Sequence, residues 1–302
     1  MKVEKSVWNG KEGYLLQNES MEVFVNPEDG MNIYQMDWEG RQMIAWEEER
    51  YQRKATYGVP VLYPTPNRSE GLKIQAFGRQ YDARMHGLVK NLPFEVKAAE
   101  ADGQTALVTG VLLWNEAQPD YPMFPFPSTL RITVKALPDE VVWSYEVENC
   151  GEREMSYGIA VHPYFNKREQ VVKITVPAAS VMEMTEEKIP TGKLIPAGET
   201  VPDLRTPALV DSLSLDHVYT DCQAGAHAEI FYNDCKVKLE ATEEFGHIVV
   251  FTPKAPFFCI ENQSCSTDCF NLFAKGFVRE SGLQTVKAGE KKSGAIRFVF
   301  EK

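Results

Sequence analysis

The stretch that most limits the fold runs from residue 128 to residue 149. In 128–137 the apolar side chains Leu130, Ile132, Val134 and Ala136 alternate with Arg131, Thr133 and Lys135. Pro138-Asp139 turns the chain, and Val141, Trp143, Tyr145 and Val147 then share one face of 140–149. A period of two marks half-buried strands, because successive side chains on a strand point to opposite faces of a sheet. Strand signals of the same kind continue along the chain at 21–25, 33–38, 42–46, 105–114, 171–176, 236–241, 248–252, 257–261 and 295–300. Glu39-Gly40 marks a hairpin turn between the second and third of these. Helical periodicity is scarce, with 41–54 (at its charged end) and 268–275 the best short candidates. The pattern predicts an all-β chain built as a sandwich or barrel. Two Pro-rich segments read as long loops, 185–203 and 119–127, the second with Tyr121, Phe124 and Phe126 as a possible aromatic wall.

Composition narrows the function classes. The hydrophobic fraction of 43% is enough for a sizeable core in 302 residues. A net charge of -11 argues against nucleic acid and anionic membranes as partners, since both need clustered Lys and Arg. It places no bar on a neutral ligand. The N-terminus, Met1-Lys2-Val3-Glu4-Lys5, has no apolar leader, and no long uncharged apolar run follows, so neither a signal peptide nor a membrane helix is expected. None of the six cysteines forms a Cys-x-x-Cys pair, which fits reduced thiols in the cytoplasm. No Gly-rich loop opens a helix and no Gly-x-Ser-x-Gly elbow occurs, which argues against nucleotide binding and an α/β-hydrolase. The histidines lack tight metal spacing, so no metal and no cofactor are expected.

Five places put polar groups at a strand end or a Pro-rich turn. In Gly158-Ile159-Ala160-Val161-His162-Pro163-Tyr164-Phe165 a buried strand stops at a histidine, because Pro163 cannot donate to a ladder. In Val59–Arg68 a short apolar run ends at prolines and presents Asn67 and Arg68, the latter a planar fork of donors. His86 stands beside Gly87, which permits a tight turn. Asp216 interrupts the apolar stretch 213–219. Glu261 ends the most apolar strand of the chain, where a carboxylate must be paired, hydrogen-bonded or raised in pKa. Taken singly, Arg68, His86 and Asp216 also read as ordinary turn or surface residues. His217, His227 and His247 carry no distinct signal.

In their order, Asn67-Arg68, His86-Gly87, His162-Pro163-Tyr164-Phe165, Asp216 and Glu261 resemble the aldose 1-epimerase (galactose mutarotase-like) family, and the tail from Glu280 to Glu290 resembles the family's C-terminal turn. The resemblance covers nearly the whole chain. It implies a single domain over residues 1–302, a large antiparallel β-sandwich of the supersandwich type, acting as monomer or homodimer on a small-molecule sugar. It implies interconversion of the α and β anomers of a free hexose without metal or cofactor. Glu261 would be the base on the anomeric hydroxyl and His162 the acid on the ring oxygen, with His86, Arg68, Asp216 and Asn67 binding hydroxyls. An acid and a base on opposite sides of the sugar would face one cleft, about a ring's width apart and beyond direct hydrogen-bond reach. His86-Gly87-Leu88 lacks the second glycine common in the family and, with Lys90, is similar to the hexose-6-phosphate branch. That alternative needs cations converging on the pocket, with Arg68, Arg84 and Lys90 as candidates. A non-catalytic carbohydrate-binding protein on the same scaffold is the third possibility.

Overall fold

The computed structural model describes residues 1–223 and 225–302. Half of the residues lie in strands and 9% in helices, and the ladders between strands are antiparallel. The expected hairpin lies inside a nine-stranded sheet, next to its central strand. Its order is Ala208–Leu209, Lys173–Thr175, Ala228–Phe231, Lys236–Ala241, Lys291–Glu301, Glu140–Asn149, Ser128–Leu137, Ala106–Trp114 and Glu95–Ala101. Ser128–Leu137 pairs with Glu140–Asn149 without a slip, and along both strands buried residues alternate with half-buried ones. The apolar set of the sequence pattern is therefore the buried set.

An eight-stranded sheet lies against it. Its path runs Pro190–Pro196, Ala178–Met184, Asp216–Cys222, His247–Phe251, Phe257–Gln263, Ala160–Val161 and Val61–Leu62, and Tyr164–Asn166 also pairs with Phe257–Gln263. The two sheets share one apolar core. Phe165 packs on Phe258 of its own sheet and on Phe298 of the other, with ring centroids 5.7 and 6.3 Å away. A five-stranded meander of Lys2–Trp8, Lys11–Gln17, Met21–Asn26, Asn32–Trp38 and Arg41–Gln42 joins this core through Trp38, stacked on Phe300 at 5.7 Å.

Three local expectations change. The strand predicted at 42–46 is paired only over Arg41–Gln42, then by a single bridge from Ile44 to Phe165. The segment 185–203 is not a plain loop: Pro190–Pro196 is an edge strand on Ala178–Met184. Prolines at both ends are harmless there, since an edge strand leaves one row of N–H groups unused. Both weak helix signals become short helices, Glu48–Gln52 and Cys269–Ala274.

The strand Phe257–Gln263 is buried along its whole length. Phe258 and Ile260 enter the shared core. Cys259, Glu261 and Gln263 point to the opposite face, because side chains alternate. Elsewhere that face is apolar: Met182, Val218, Val249 and Leu272 form a small cluster with Phe277. The face is thus a second, partly polar interior under loops and the helix Cys269–Ala274.

Candidate active site

Strand register brings the two central residues together. Ala160 opposes Gln263, and Tyr164 opposes Cys259. Counting two residues inward along both strands sets His162 directly opposite Glu261. Pro163 interrupts the ladder between them, and the His162 N–H donates instead to the carbonyl of Pro60 at 3.2 Å. Directly opposed residues share one face of a sheet. His162 Nε2 accordingly lies 3.3 Å from Glu261 Oε1, with only 5% and 1% of the two residues exposed. The expected separation of a sugar's width is therefore wrong. The two side chains do face one cleft, but neighbouring strands in register leave no room for a ring between them.

Each member of the pair is fixed from the side. Gln263 Nε2 donates to Glu261 Oε2 at 3.0 Å. The His162 ring stacks on Tyr164, 4.6 Å away and 6° from parallel, and the His86 ring meets it edge-on at 5.3 Å. The Tyr164 oxygen lies 3.5 Å from His162 Nε2, 2.5 Å from Thr56 Oγ1 and 3.0 Å from Arg50 Nη2, which donates to it.

Loops supply the rim. Asn67 and His86 both hold positive φ, 60° and 67°, a region few non-glycine residues adopt. The two turns brace one another: the His86 N–H donates to the Asn67 carbonyl at 2.6 Å, and the Leu88 N–H to the Tyr63 carbonyl at 2.7 Å. Gly87 is required between them, because its φ is 79° and a Cβ would stand 2.3 Å from the Tyr63 oxygen. Asp268 locks the arginine turn by donating its N–H to the Arg68 carbonyl at 3.0 Å and accepting from the Glu70 N–H at 2.9 Å. Arg68 then donates through Nη1 and Nη2 to Asp216 Oδ2 at 3.1 and 3.2 Å.

Burial dominates the electrostatics. It pushes the Glu261 carboxyl well above the usual range, helped by Asp216 and opposed by the Gln263 hydrogen bond and Arg68. It pushes His162 well below its usual value, with His86 and Arg50 acting the same way. His86 falls to about 3, chiefly through burial and then through Lys90, Arg68 and Arg50. Four buried polar atoms here have no partner within the protein: Asn67 Oδ1, His86 Nδ1, His162 Nδ1 and Gln263 Oε1. Buried polar groups are costly unless they are hydrogen-bonded, so those on the cavity's lining residues, Asn67, His86 and His162, are ready-made contacts for a hydroxyl-rich ligand.

All six residues singled out in the sequence (Asn67, Arg68, His86, His162, Asp216 and Glu261) border one cavity of about 150 Å³. Arg50, Thr56, Met85 and Phe251 border it too, unforeseen from the sequence. Arg50 sits on the helix Glu48–Gln52, and only that weak charged-helix signal pointed toward it. Of the aromatic candidates Tyr164 is in place. Phe124 and Phe126 instead pack on each other in the core, and Tyr121 lies beside Trp114, so the 119–127 segment walls the core and not this cavity. Arg84 donates to Asp120 at 2.7 Å and Lys90 to the Lys54 carbonyl at 2.9 Å, and neither borders the cavity. A larger hollow of about 520 Å³ opens between Thr175, Arg205, His227 and Phe231. Its charged groups are engaged by neighbours, Arg205 by Asp203, Asp221 by Arg279, and Glu229 by Lys236. Among the described residues no three His, Cys, Asp or Glu side chains converge as a metal cluster, and no helix is long and apolar enough to cross a membrane.

Comparison with known proteins adds a family and a fold. The family described as aldose 1-epimerase matches residues 14–299. The structure resembles a galactose mutarotase-like protein from Clostridium acetobutylicum, with a TM-score of 0.85, 18% identity, and 99% of this chain and 98% of that one covered. It also resembles the galactose 1-epimerase of Lactobacillus acidophilus, with a TM-score of 0.77, 14% identity, and 99% and 98% covered. A galactose mutarotase-like protein from Lactobacillus casei gives a TM-score of 0.76 at 18% identity, with 95% and 99% covered. At these identities the structural likeness speaks for the fold, and the family match speaks for the lineage.

Proposed function

The chain belongs to the aldose 1-epimerase family, and from that premise we propose that it interconverts the anomers of a free, neutral hexose, with Glu261 and His162 as the proton-transferring pair. The observation that carries this reading is the 3.3 Å contact between Glu261 and His162 at the floor of a cavity rimmed by Arg68, His86, Asn67 and Asp216. The contact also changes the expected mechanism. The anomeric hydroxyl and the ring oxygen are bonded to the same carbon, so they present two oxygens side by side. An acid and a base that are themselves adjacent can serve both from one side of the ring.

The proton count is simple. Ionised Glu261 takes the anomeric hydroxyl proton, and the C1–O1 bond becomes a carbonyl. The C1–O5 bond breaks, its electron pair goes to O5, and O5 takes a proton from His162. The pair has then passed from carboxylate and imidazolium to carboxylic acid and imidazole, with one titratable proton in either form. After rotation about C1–C2 the steps reverse and close the ring on the other face. Burial favours the uncharged arrangement of the pair, which is the form that faces the open-chain aldehyde. The charged form is reached within the pair by moving that one proton between neighbours. Neutral His86 and the unpartnered Asn67 Oδ1 would take sugar hydroxyls, and the Arg68–Asp216 pair would offer a donor and an acceptor at the rim.

A neutral sugar is favoured over a sugar phosphate because, of Arg68, Arg84 and Lys90, only Arg68 borders the cavity and Asp216 already occupies it, while Arg50, the other guanidinium on the cavity, is bonded to the Thr56 carbonyl and the Tyr164 hydroxyl. The test is polarimetry or exchange NMR on freshly dissolved α-glucose, α-galactose and glucose 6-phosphate. Faster anomerisation of a free hexose than of the phosphate is expected. No acceleration of any free aldose over buffer would sink the enzymatic reading and leave sugar binding alone.

A further inference from the structure

Gln263 is fully buried and does not border the cavity, and the acid/base chemistry above gives it no part. It stands two residues beyond Glu261 on the same face of Phe257–Gln263, and its Nε2 donates to Glu261 Oε2 at 3.0 Å. The other carboxyl oxygen, Oε1, faces His162 Nε2 at 3.3 Å. The two oxygens of one carboxyl therefore have separate neighbours.

The surroundings of Gln263 are themselves fixed. Ala160 opposes it on one strand and His247 on the other. The next residue is tied across to Ile159 by two bonds of 2.9 Å, from the Ser264 N–H to the Ile159 carbonyl and from the Ile159 N–H to Ser264 Oγ. His247 Nε2 lies 3.0 Å from the Glu280 carbonyl, which can only accept, so the ring proton is on Nε2. Gly282 closes the C-terminal turn over this ring with a φ of 59°, and a Cβ there would stand 2.5 Å from His247 Cε1.

Donor and acceptor counting gives Gln263 a direction. In the proton count above, the one titratable proton passes between Glu261 Oε1 and His162 Nε2. Oε2 carries no proton in either form and can only accept, so Gln263 must present its amino group and not its carbonyl. An amide N–H binds an ionised carboxylate more strongly than a neutral carboxyl. Burial pushes the Glu261 carboxyl up, and the Gln263 bond is the strongest influence against that, ahead of Arg68.

We propose that Gln263 is a positioning residue of the proton-transferring pair: by donating to Glu261 Oε2 it keeps the proton on the side of His162, holds the carboxyl plane, and favours the arrangement in which His162 carries the proton. As a role in anomerisation this rests on the function proposed above, but the hold of Gln263 on the carboxyl does not, and the two can be tested apart.

The titratable and charged groups facing Glu261 and Gln263 are His162, Tyr164, Cys259, Asp216, Arg68 and His247. Gln263→Met leaves all of them in place, keeps the bulk of the side chain and removes the donor. It also removes Oε1, a buried acceptor without a partner, so its urea midpoint is expected to hold or rise. The primary readout is the 13C resonance of the Glu261 carboxyl carbon, identified by its loss in Glu261→Gln and followed against pH in the ligand-free protein. Its midpoint is expected to rise in Gln263→Met, because the carboxylate has lost a donor. In the anomerisation assay kcat is expected to fall about 10 to 100-fold, the worth of a hydrogen bond to an ionised group, with KM nearly unchanged. The alkaline limb of the kcat profile, where the pair loses its one proton, should move up with the carboxyl midpoint. Gln263→Leu, a second apolar replacement, should do the same. A midpoint that is unmoved or lowered overturns the proposal, as does a wild-type kcat in a variant whose midpoint has risen. If the wild-type protein anomerises no aldose, the proposed function falls while the 13C titration still decides whether Gln263 governs Glu261.

Discussion

The two large sheets of this molecule bury polar groups very differently. In the nine-stranded sheet the hairpin Ser128–Leu137 and Glu140–Asn149 turns its apolar residues to one core and its polar ones outward, and even Thr109 finds Thr133 at 2.9 Å. In the eight-stranded sheet Phe257–Gln263 is buried on both faces, and one face carries Gln263 and Glu261, the latter opposite His162. The first arrangement maximises stability. The second accepts an ionisable pair and several unpartnered polar atoms in a dry setting, where each costs free energy unless something binds it. The nine-stranded sheet also leaves Trp143 Nε1 without a partner, but only around the cavity do Asn67 Oδ1, His86 Nδ1 and His162 Nδ1 gather beside an ionisable pair, which is the sign of a site rather than of loose packing.

Substituting one central residue in each sheet gives the sharpest contrast. Glu261→Gln keeps the shape of the floor and removes the proposed base, so turnover should fall by about 10² to 10⁴-fold while sugar affinity largely survives. Its stability above pH 7 should be unchanged or higher, since a buried carboxyl that resists ionisation is gone. Trp143→Ala in the other sheet should do the reverse. Trp143 is fully buried, and its truncation should remove about 3–5 kcal/mol of stability while each folded molecule turns over normally. Anomerisation by exchange NMR and urea unfolding of both variants check this together. Full turnover in Glu261→Gln would contradict the assigned role outright.

The next effect is smaller and depends on pH. Three buried histidines, His86, His162 and His247, have pKa values pushed down by burial, His86 to about 3 and His247 to about 4. Two of them lie on the site-bearing sheet and the third on its rim. Above about pH 6.5 they are neutral in both folded and unfolded chains and do not alter stability. Below it the unfolded chain takes up three protons that the native state refuses, so stability falls as pH drops. Glu261 works the other way. Its raised pKa adds stability that is complete below about pH 4.3 and is lost as pH rises through its folded value. The balance is a loss of about 3 kcal/mol per pH unit between about 6.5 and 4.5. Urea midpoints at pH 7, 6 and 5 measure it, and a midpoint that stayed constant or rose on acidification would contradict the lowered histidine values.

The same contrast explains what was legible in the sequence. Alternation announced 128–149 because one face of that hairpin is wet, and the structure reproduces its register and its buried set. The strand with Glu261 was legible as a buried apolar run, but a strand dry on both sides has no alternation to say which face a residue takes. His162 and Glu261 were found as polar residues ending such runs. Their direct contact was not, because it follows from a register that only pairing across nearly a hundred residues defines. Arg50 and Thr56 stand in the cavity through a short helix and a turn whose local pattern carries no chemistry. The edge strand Pro190–Pro196 carries a loop signal in its sequence because its prolines are tolerated only at an edge, and edge position is a tertiary fact.

The smallest expected effect concerns a residue the sequence placed near the site and the structure does not. Arg84 is two positions from His86, yet its guanidinium donates to Asp120 and does not border the cavity. An exposed ion pair of this kind is worth no more than about 1 kcal/mol, and less in salt. Arg84→Ala should therefore leave kcat/KM for a free hexose within about twofold and stability within about 1 kcal/mol. Arg68→Ala, made beside it, should raise KM, because it strips a donor from the rim and leaves Asp216 unpaired next to Glu261. The pair of variants is informative through its substrate dependence. If Arg84→Ala spares glucose but slows glucose 6-phosphate, Arg84 must swing from Asp120 to a phosphate during binding, and the choice of a neutral sugar is reversed. If it spares both, the exposed Arg84–Asp120 bridge is a surface feature, and discrimination rests with the residues that border the cavity.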